Sequence, residues 1–406
     1  MKSRLRILIA GGGSIGLCAA AMFAALPRRD RLSITLVDAG PAPGSPLDGD
    51  VGLRVSALSA GTLARLDQLG AGATLAQREC PYADMRVWDE AGDAFGPETL
   101  HFSAAEMALP ALGSIVEDGL LRHALAERLA DCDVSLRFDA AVQSFATGGA
   151  GCRARLADGE TLVADLLVAA DGARSAVREA AGIELDGWRY PQSALVTHAR
   201  PERGHEHTAW QRFLANGPLA LLPLADGRVS IVWSTGSAEA RRLGDATDDE
   251  LSAELTAASD RVLGRLEVAA GRAVLPLAAR HARRYVQRGV ALIGDAAHTV
   301  HPLAGQGANL GIADAAALAQ VVDAALAAGE FPADLPVLRR YERQRRGANA
   351  AMLYFIDGLN RLFGSERAPL ATLRGSGMRL FNRSGPLKRR AMRVALGFDA
   401  GGALGR

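Results

Sequence analysis

The sequence predicts an α/β protein in which a Rossmann-like nucleotide-binding domain carries an inserted β-sheet domain and a C-terminal helical region. Two glycine-rich turns, at 11–16 and 294–311, each follow a short apolar run typical of strands buried on both faces of a parallel sheet. Between them, 82–102 and 192–233 show β-like patterns broken by Gly, Pro and Asp. At 406 residues the chain exceeds the size at which one core keeps growing, so two packed domains are expected.

The N-terminal segment predicts one complete βαβ unit. Leu5–Ala10 is a continuous apolar run and predicts the first strand, and the stretch 14–26 predicts a helix of larger apolar residues with Ala between them. Leu32–Val37 predicts the second strand, which ends at Asp38. The order of strand, glycine turn, helix, strand and acid is that of a dinucleotide-binding unit.

Later segments return to this domain in pieces. We expect a helix at 120–129, buried strands at 162–170 and 289–293, and a long Ala-rich helix at 308–326. From Leu335 onward the chain is predicted to be helical and basic. The predicted boundaries are 1–78, 116–186 and 285–335 for the nucleotide-binding domain, 79–115 and 187–284 for the inserted sheet, and 336–406 for the C-terminal region.

Composition and charge exclude several classes of function. The chain is 49% apolar with a net charge of +1, which argues against a nucleic-acid partner. The four cysteines have no CxxC spacing, so we expect a reducing cytoplasm, no disulfide framework and no zinc site. His205 and His207 lie in a charged segment without a third ligand nearby, which predicts a solvated loop and no metal.

The C-terminal region differs from the rest of the chain in charge. Residues 339–393 contain fourteen Lys or Arg and three Asp or Glu, with apolar residues interleaved among the Arg residues. This pattern suits an interfacial helix or a partner surface, and the alternative is a solvated helix face.

The first glycine turn has the residues that a pyrophosphate requires. Gly11, Gly13 and Gly16 let the backbone turn tightly and approach a phosphate, and the helix that starts at Ser14 and Ile15 directs N–H groups and its dipole at the negative charge. Asp38 is placed to accept hydrogen bonds from ribose hydroxyls. The turn alone does not separate FAD from NAD.

The second glycine turn supplies that separation. Gly294 and Asp295 end a buried strand, which places the carboxylate to accept from hydroxyls of a ribityl chain or a ribose. The loop that follows presents its residues to the N1–C2=O edge of a flavin, where helix N–H groups stabilise the charge of the reduced ring. The loop and helix start comprise Pro302, Gly305, Gln306, Gly307, Ala308 and Asn309. Two turns that grip one long cofactor at its phosphates and at its ring indicate FAD.

These motifs resemble the three fingerprints of the group A flavin monooxygenases, which have the para-hydroxybenzoate hydroxylase fold. The chain is most similar to the ubiquinone-biosynthesis aromatic hydroxylases within that group. The resemblance extends over most of the chain, at 11–16, 54–59, 113–117, 171–172, 210–213, 217–224, 294–311, 341–345, 352 and 362–363. It implies that Arg54 and Arg174 lie near the FAD phosphates or the second-domain side of the cofactor. It also implies that Asp171 and Gly172 belong to a motif that touches both FAD and the pyridine nucleotide.

The resemblance implies a reaction as well. NADH or NADPH would reduce FAD, O₂ would react with the reduced ring, and a C4a-hydroperoxyflavin would hydroxylate a (poly)prenylated phenol in ubiquinone biosynthesis. The alternatives are the same chemistry on another aromatic, a flavin reductase or dehydrogenase, and an assembly protein without turnover. A prenylated phenol resides in membranes, so we expect a cytoplasmic protein whose basic C-terminal region contacts the inner face of a membrane or a biosynthetic complex.

Individual side chains leave two interpretations open. Trp210, Phe213 and Trp233 line the substrate pocket with Pro302, or they form the core of the second sheet. For His298 and His301, hydrogen bonding and packing are favoured over a catalytic role, and nothing selects Tyr190 or Tyr285 as a phenol contact. Two residues depart from the family pattern: Asp38 stands where Glu is more frequent, and Asp118 stands where Asn is usual.

Overall fold

The structure is a computed structural model that describes residues 4–148, 151–363 and 368–398. Its strands are, in chain order, β1 (Leu5–Ala10), β2 (Leu32–Val37), β3 (Val55–Ser59), β4 (Cys80–Tyr82), β5 (Asp84–Asp89), β6 (Leu100–Ser103), β7 (Gly113–Glu117), β8 (Val134–Arg137), β9 (Val142–Gly148), β10 (Gly151–Leu156), β11 (Thr161–Ala164), β12 (Leu166–Ala169), β13 (Leu185–Pro201), β14 (Thr208–Leu214), β15 (Gly217–Pro223), β16 (Val229–Gly236), β17 (Leu266–Val268), β18 (Ala273–Ala282), β19 (Val286–Gln287), β20 (Val290–Leu292) and β21 (His298–Thr299).

The α-helices are, in chain order, α1 (Ser14–Ala24), α2 (Ala60–Gln68), α3 (Gly72–Leu75), α4 (Asp118–Ala130), α5 (Ala176–Ala180), α6 (Ser237–Asp245), α7 (Asp248–Ala258), α8 (Gln306–Ala328), α9 (Leu335–Phe363), α10 (Ala368–Arg383) and α11 (Pro386–Ala395). Short 3₁₀ turns at Gly294–Ala296 and Pro302–Ala304 precede α8.

A six-stranded sheet with the order β19-β20-β12-β1-β2-β8 forms the nucleotide-binding domain. All of its pairs are parallel except β19 with β20. Ile7, Leu8 and Ile9 of β1 are buried, as the apolar run predicts for a strand covered on both faces. The mixed α/β class predicted from the sequence is confirmed.

One predicted strand is wrong, because 162–170 forms two strands that belong to different sheets. The chain turns at Asp165, whose carboxylate accepts hydrogen bonds from the backbone N–H of Arg6 at 2.8 Å and from its guanidinium at 2.7 Å. Beyond this anchor β12 joins the parallel sheet, whereas β11 pairs antiparallel with β10 in a three-stranded sheet. A polar side chain with a specific partner therefore divides a run that hydrophobicity alone makes continuous.

The second large sheet has the order β21-β18-β13-β16-β15-β14-β5-β6, with β17 paired to β13. One face forms a core with α6 and α7, including Trp210, Trp233 and Leu251. The other face includes Val87 and Phe213, which pack against residues of α9 and of the loop before α8. A smaller antiparallel sheet has the order β3-β7-β4.

The C-terminal half of the chain contains long helices that pack against the rest of the protein. Of the described helices, α8 has the length and the apolar composition of a membrane-spanning helix, yet 67% of its most apolar window is buried inside the protein. It packs against α1 and α9, as a core helix does. The C-terminal α11 is anchored by buried Met392 and Leu396, and the carbonyl of Leu396 accepts from the N–H of Gly61 at 3.0 Å.

Candidate cofactor cleft

A cleft of about 720 Å³ runs from the turn after β1 to the loop before α8. This volume lies within the range of about 300–1,000 Å³ that is usual for small-molecule sites. Most of the predicted cofactor residues line it, namely Gly11, Gly13, Ser14, Ile15, Asp38, Arg54, Asp171, Gly172, Asp295, Pro302, Gly305, Gly307 and Ala308, together with Arg174. The structure thus brings residues from both glycine turns into one cavity.

At one end of the cleft, the glycine turn brings α1 close to the sheet. Gly11 has φ +110°, and a Cβ there would lie 2.3 Å from the carbonyl oxygen of Ala170. A Cβ on Gly16 would lie 1.8 Å from the carbonyl oxygen of Gly11, so Gly16 serves helix packing and does not line the cleft. A Cβ on Gly13, the N-cap of α1, would meet nothing within 4 Å. This open space at a helix N-terminus fits a diphosphate.

Asp38 is held rigidly at the end of β2. One carboxylate oxygen accepts from the backbone N–H of Gly12, and the other accepts from that of Gly40 at 2.8 Å. Two N–H donors orient the carboxylate and leave lone pairs directed into the cleft. The arrangement suits the ribose hydroxyls that the sequence predicts for this position.

Asp118 adds a carboxylate near the helix N-terminus. Its Oδ1 accepts from the hydroxyl of Ser14 at 2.5 Å and lies 3.7 Å from Nε of Arg54. The Arg54 side chain is 78% exposed, so it can turn toward a ligand in the cleft. Asp118, which departs from the family pattern, would therefore compete with a bound diphosphate for both Ser14 and Arg54.

Two polar atoms in the cleft wall lack hydrogen-bond partners among the described residues. Asp171 accepts from the N–H of Val177 at 3.1 Å through Oδ2, whereas its buried Oδ1 is unpaired. The buried Oγ1 of Thr299 is also unpaired. Buried polar groups normally have partners, so hydroxyl and amide groups of a ligand fit this wall. These oxygen atoms and the open space at the phosphate end are those expected for FAD.

The loop before α8 forms the other end of the cleft. Gly305 adopts φ +59° as the N-cap of α8, and Gly307 and Ala308 of the first turn line the cleft. Gln306 and Asn309 of the same turn face away, into a second cleft. Asn309 fixes the loop because its side-chain oxygen accepts from the N–H of Ser59 at 2.9 Å and its nitrogen donates to the carbonyl of Ala57 at 2.9 Å.

Asp295 is exposed to the cleft, although many protein atoms lie close to its carboxyl group. This burial raises the pKa of its carboxyl, as Asp118 does to a smaller extent, and His298 and Arg54 oppose the shift. Among the described residues no donor pairs with this carboxylate, and ribityl or ribose hydroxyls would supply one. Gly294 does not line the cleft, and its N–H donates to Oδ2 of Asp314 at 3.2 Å.

A buried network below this loop was not identified from the sequence. Asp314 of α8 is fully buried and accepts from Nε2 of His298 at 2.6 Å, from Nε of Arg345 at 2.8 Å and from Nδ2 of Asn349 at 2.9 Å. Burial alone would raise the pKa of Asp314. The contacts with His298 and Arg345 lower this pKa by more, so the net shift is downward. The available signal was a carboxylate in the middle of an apolar, Ala-rich helix.

Two histidines of the loop differ in their environments. His298 is hydrogen-bonded to Asp314, as favoured from the sequence, and it stacks on Tyr285. His301 is buried, and neither ring nitrogen has a partner among the described residues. Burial lowers its pKa to about 4, and its ring meets the edge of Tyr190, whose hydroxyl donates to Asp357 at 2.9 Å.

The aromatic residues proposed for the substrate pocket separate onto two faces of the sheet. Trp210 and Trp233 lie in the core beneath α6 and α7, away from the cleft, so the core interpretation describes them. Phe213 lies on the opposite face and stacks on Phe363 of α9 with ring centroids 3.9 Å apart. The charged loop predicted around His205 is present, with its charged residues exposed, but His205 itself is buried and its Nε2 pairs with the carbonyl of Leu224 at 3.1 Å.

Known proteins match this chain along most of its length. Residues 4–355 match the family described as FAD binding domain. The 3-demethoxyubiquinol 3-hydroxylase of Escherichia coli is 38% identical, with 96% of this chain and 98% of that protein aligned. Ubiquinone hydroxylase UbiL of Rhodospirillum rubrum is 37% identical over 96% and 89% of the two chains. The human ubiquinone biosynthesis monooxygenase COQ6, mitochondrial, is 35% identical over 96% and 92%.

Solved structures agree in fold at lower sequence identity. The p-nitrophenol 4-monooxygenase PnpA of Pseudomonas putida superposes with a TM-score of 0.77 over 98% of each chain, at 19% identity. PqsL of Pseudomonas aeruginosa superposes with a TM-score of 0.72 over 93% and 99% of the chains, at 24% identity. From the family match, the relatives and the cleft that joins both glycine turns, the chain belongs to the FAD-dependent group A monooxygenases, in the family of the ubiquinone-biosynthesis hydroxylases.

Proposed function

We propose that this protein uses FAD, NADH or NADPH, and O₂ to hydroxylate the aromatic ring of a prenylated phenol in ubiquinone biosynthesis. One observation carries the proposal: a single cleft joins the phosphate turn to the loop before α8, in a chain that aligns along 96% of its length with hydroxylases named for ubiquinone. Bound FAD, once reduced by the pyridine nucleotide, supplies the chemistry that activates O₂.

The chain's own residues hold and polarise the flavin ring. The first turn of α8 presents Gly305, Gly307 and Ala308 to the cleft, and its N–H groups and dipole would stabilise negative charge at the N1–C2=O edge. Asp295 would accept hydrogen bonds from the ribityl chain or a ribose. These groups are fixed before the cofactor binds, so little reorganisation accompanies reduction.

The sequence has one Gly-x-Gly-x-x-Gly turn, at Gly11, and it serves FAD in this proposal. NADH or NADPH would therefore visit the same cleft without a Rossmann domain of its own. Asp171, Gly172 and Arg174 line the wall between the two ends of the cleft and would contact it. Arg174 is exposed and would pair with a phosphate.

In this proposal the phenol ring would lie against apolar side chains next to the loop before α8. Val300 and Leu303 of the loop before α8 pack with Val87 and Phe213 of the second sheet and with Ile356 of α9. Such walls exclude water from an oxidising intermediate and hold the ring in a fixed orientation. An apolar surface of this kind suits a prenylated phenol.

Oxygen-18 labelling tests the reaction. The purified protein with FAD, NADH or NADPH, ¹⁸O₂ and a short-chain prenylated phenol should yield a product heavier by one ¹⁸O atom. Pyridine nucleotide oxidation without label in the phenol would instead identify a reductase or dehydrogenase. Label in unprenylated aromatics alone would identify the same chemistry on another substrate.

A strain that lacks the protein tests the pathway. Its lipid extract should accumulate a polyprenyl phenol that lacks one hydroxyl group, and normal quinone content would contradict the assignment to ubiquinone synthesis. The same strain with a Gly11→Ala copy should resemble the deletion, because that variant cannot form the phosphate turn. A protein with only an assembly role would restore quinone despite this substitution.

A further inference from the structure

A second cleft, of about 560 Å³, lies on the far side of the first turn of α8. It is bounded by α2, α8, α9 and the end of α11. Its polar lining comprises Ser59, Thr62, Arg65, Gln306, Asn309, Gln320, Gln344 and Arg345, and its apolar lining includes Leu310, Ala313, Ala316, Met352 and Val394. No acidic residue is among the lining residues.

The two arginines of this second cleft are not equivalent. Arg345 is buried and pairs with Asp314 at 2.8 Å, so its charge is compensated. The guanidinium of half-buried Arg65 has no hydrogen bond or ion pair within the described part of the chain. Burial and the nearby charge of Arg345 lower the pKa of Arg65. The cleft therefore carries one uncompensated positive charge, next to three glutamine side chains and an apolar wall.

The rim of the second cleft is basic and partly apolar. Val394 of α11 lines the cleft and is 50% exposed. Leu387, two turns earlier on the same face of the helix, is 58% exposed. Arg390 and Arg393 flank these apolar side chains and are exposed. An amphipathic helix with this composition is suited to the surface of an anionic membrane.

We propose that the second cleft binds an acidic phospholipid of the membrane. Arg65 pairs with the headgroup phosphate, the glutamine side chains accept and donate hydrogen bonds to the headgroup, and the acyl chains lie along Leu310, Met352 and Val394. Charge selects an anion, the apolar wall selects an amphiphile, and the basic face of α11 selects the bilayer as its source. The site is independent of the flavin cleft and does not rest on the proposed reaction.

Short-chain lipids test this site on the FAD-loaded protein by calorimetric titration. Dihexanoyl phosphatidylglycerol should bind at least tenfold more tightly than dihexanoyl phosphatidylcholine, because only the first leaves a net negative charge for Arg65. Equal affinities for the two lipids would overturn the proposal. Laurate binding more tightly would show a fatty-acid site, and inorganic phosphate binding equally well would show a plain anion site, and both results would overturn it.

Substitutions locate the bound lipid. Arg65→Gln should weaken phosphatidylglycerol binding tenfold or more, since a charge-assisted hydrogen bond is lost, whereas Arg65→Lys should retain most of the affinity. Ala313→Phe should block the cleft without changing its charge. Arg241 is an exposed residue of α6, outside the second cleft, so Arg241→Gln is the matched control and should bind the lipid as the unaltered protein does. Unchanged binding by both Arg65→Gln and Ala313→Phe would refute the site, and FAD content reports that each variant is folded.

Discussion

Replacement of Asp314 by Asn should destabilise the protein more than any single surface change. Asp314 is fully buried and each carboxylate oxygen accepts two hydrogen bonds: Oδ1 from Arg345 and Asn349, and Oδ2 from His298 and the N–H of Gly294. The amide of Asn has the same shape but only one oxygen, so two donors would face its NH₂ group. The guanidinium of Arg345 would also lose its counter-charge in a buried site.

The expected magnitude follows from that environment. Removal of one partner from a buried ion pair costs about 3–5 kcal/mol, a large part of the roughly 5–15 kcal/mol that stabilises a typical fold. An unfolding entropy of about 2.1 cal/mol/K per residue gives roughly 0.85 kcal/mol/K for a chain of this length. We therefore expect the Tm of the Asp314→Asn variant to fall by about 4–6 °C if the chain unfolds as one unit.

Thermal unfolding followed by circular dichroism measures this shift, and absorbance near 450 nm (roughly the flavin's own band) reports retained FAD. A second substitution, Arg345→Met, should restore part of the lost stability in the double variant, because no uncompensated charge then remains. A Tm within about 1 °C of the unaltered protein, or strictly additive effects in the double variant, would refute the reasoning.

The pH dependence of the Tm difference between the unaltered protein and Asp314→Asn provides an independent check. The folded-state pKa of Asp314 lies below its ordinary value. The stabilisation is therefore fully present above a pH of about 4, the unfolded-state pKa, and is lost as the pH falls through the folded-state value. The Tm difference between the unaltered protein and Asp314→Asn should be constant from neutral pH to about pH 5 and should shrink in stronger acid.

Three further changes address the cofactor cleft. Gly11→Ala should abolish FAD binding, since a Cβ would lie 2.3 Å from a backbone oxygen, whereas Gly159→Ala, at φ +90° with open space, should keep FAD; flavin absorbance that survives in both would contradict the fit. Asp295→Asn should raise the Tm of the apoprotein at pH 7, because the charged form is disfavoured there, and should weaken FAD binding by about tenfold in fluorescence titration. A lower Tm would exclude burial as the cause of the raised pKa, and tighter FAD binding would exclude Asp295 as an acceptor for hydroxyl groups of the cofactor. Asp118→Asn should tighten FAD binding by about two- to fivefold, because Ser14 and Arg54 no longer share a carboxylate; weaker binding would assign Asp118 a direct cofactor contact.

Local patterns predicted the nucleotide-binding domain well for physical reasons. In Leu5–Ala10 and Leu32–Val37 the apolar run coincides with the strand, because burial on both faces leaves no polar position to interrupt the pattern. The prediction of one strand over 162–170 was wrong because Asp165 forms a hydrogen bond with Arg6, which is distant in the sequence. The hydrophobic pattern contains no information about that contact. The capping box that starts α7 is visible in the sequence as Thr247 followed by Glu250 three residues later.

The site shows the same division between local and distant information. The cleft is lined by predicted residues at the ends of four strands, Gly11, Asp38, Asp171 and Asp295, because the chain geometry of a βαβ unit brings strand ends together. Gly294, predicted for the same site, does not line it. Asn309 was predicted as a cofactor residue, yet it ties the loop to β3 and to Thr62. Spacing identifies which helix turn faces the cofactor. Which side chains of that turn face the cleft depends on packing against elements elsewhere in the chain.

The cleft carries several negative charges, and protein groups form hydrogen bonds with most of them. Four carboxylates line it, from Asp38, Asp118, Asp171 and Asp295, whereas the diphosphate of FAD is itself negative. The protein separates these charges, because Asp38 is engaged by two backbone N–H groups and Asp118 by Ser14. Attraction for the diphosphate must then come from the helix N-terminus and the exposed arginines, while the carboxylates select hydroxyl-bearing parts of the ligand. Affinity for FAD should therefore depend on ionic strength mainly through its phosphate end.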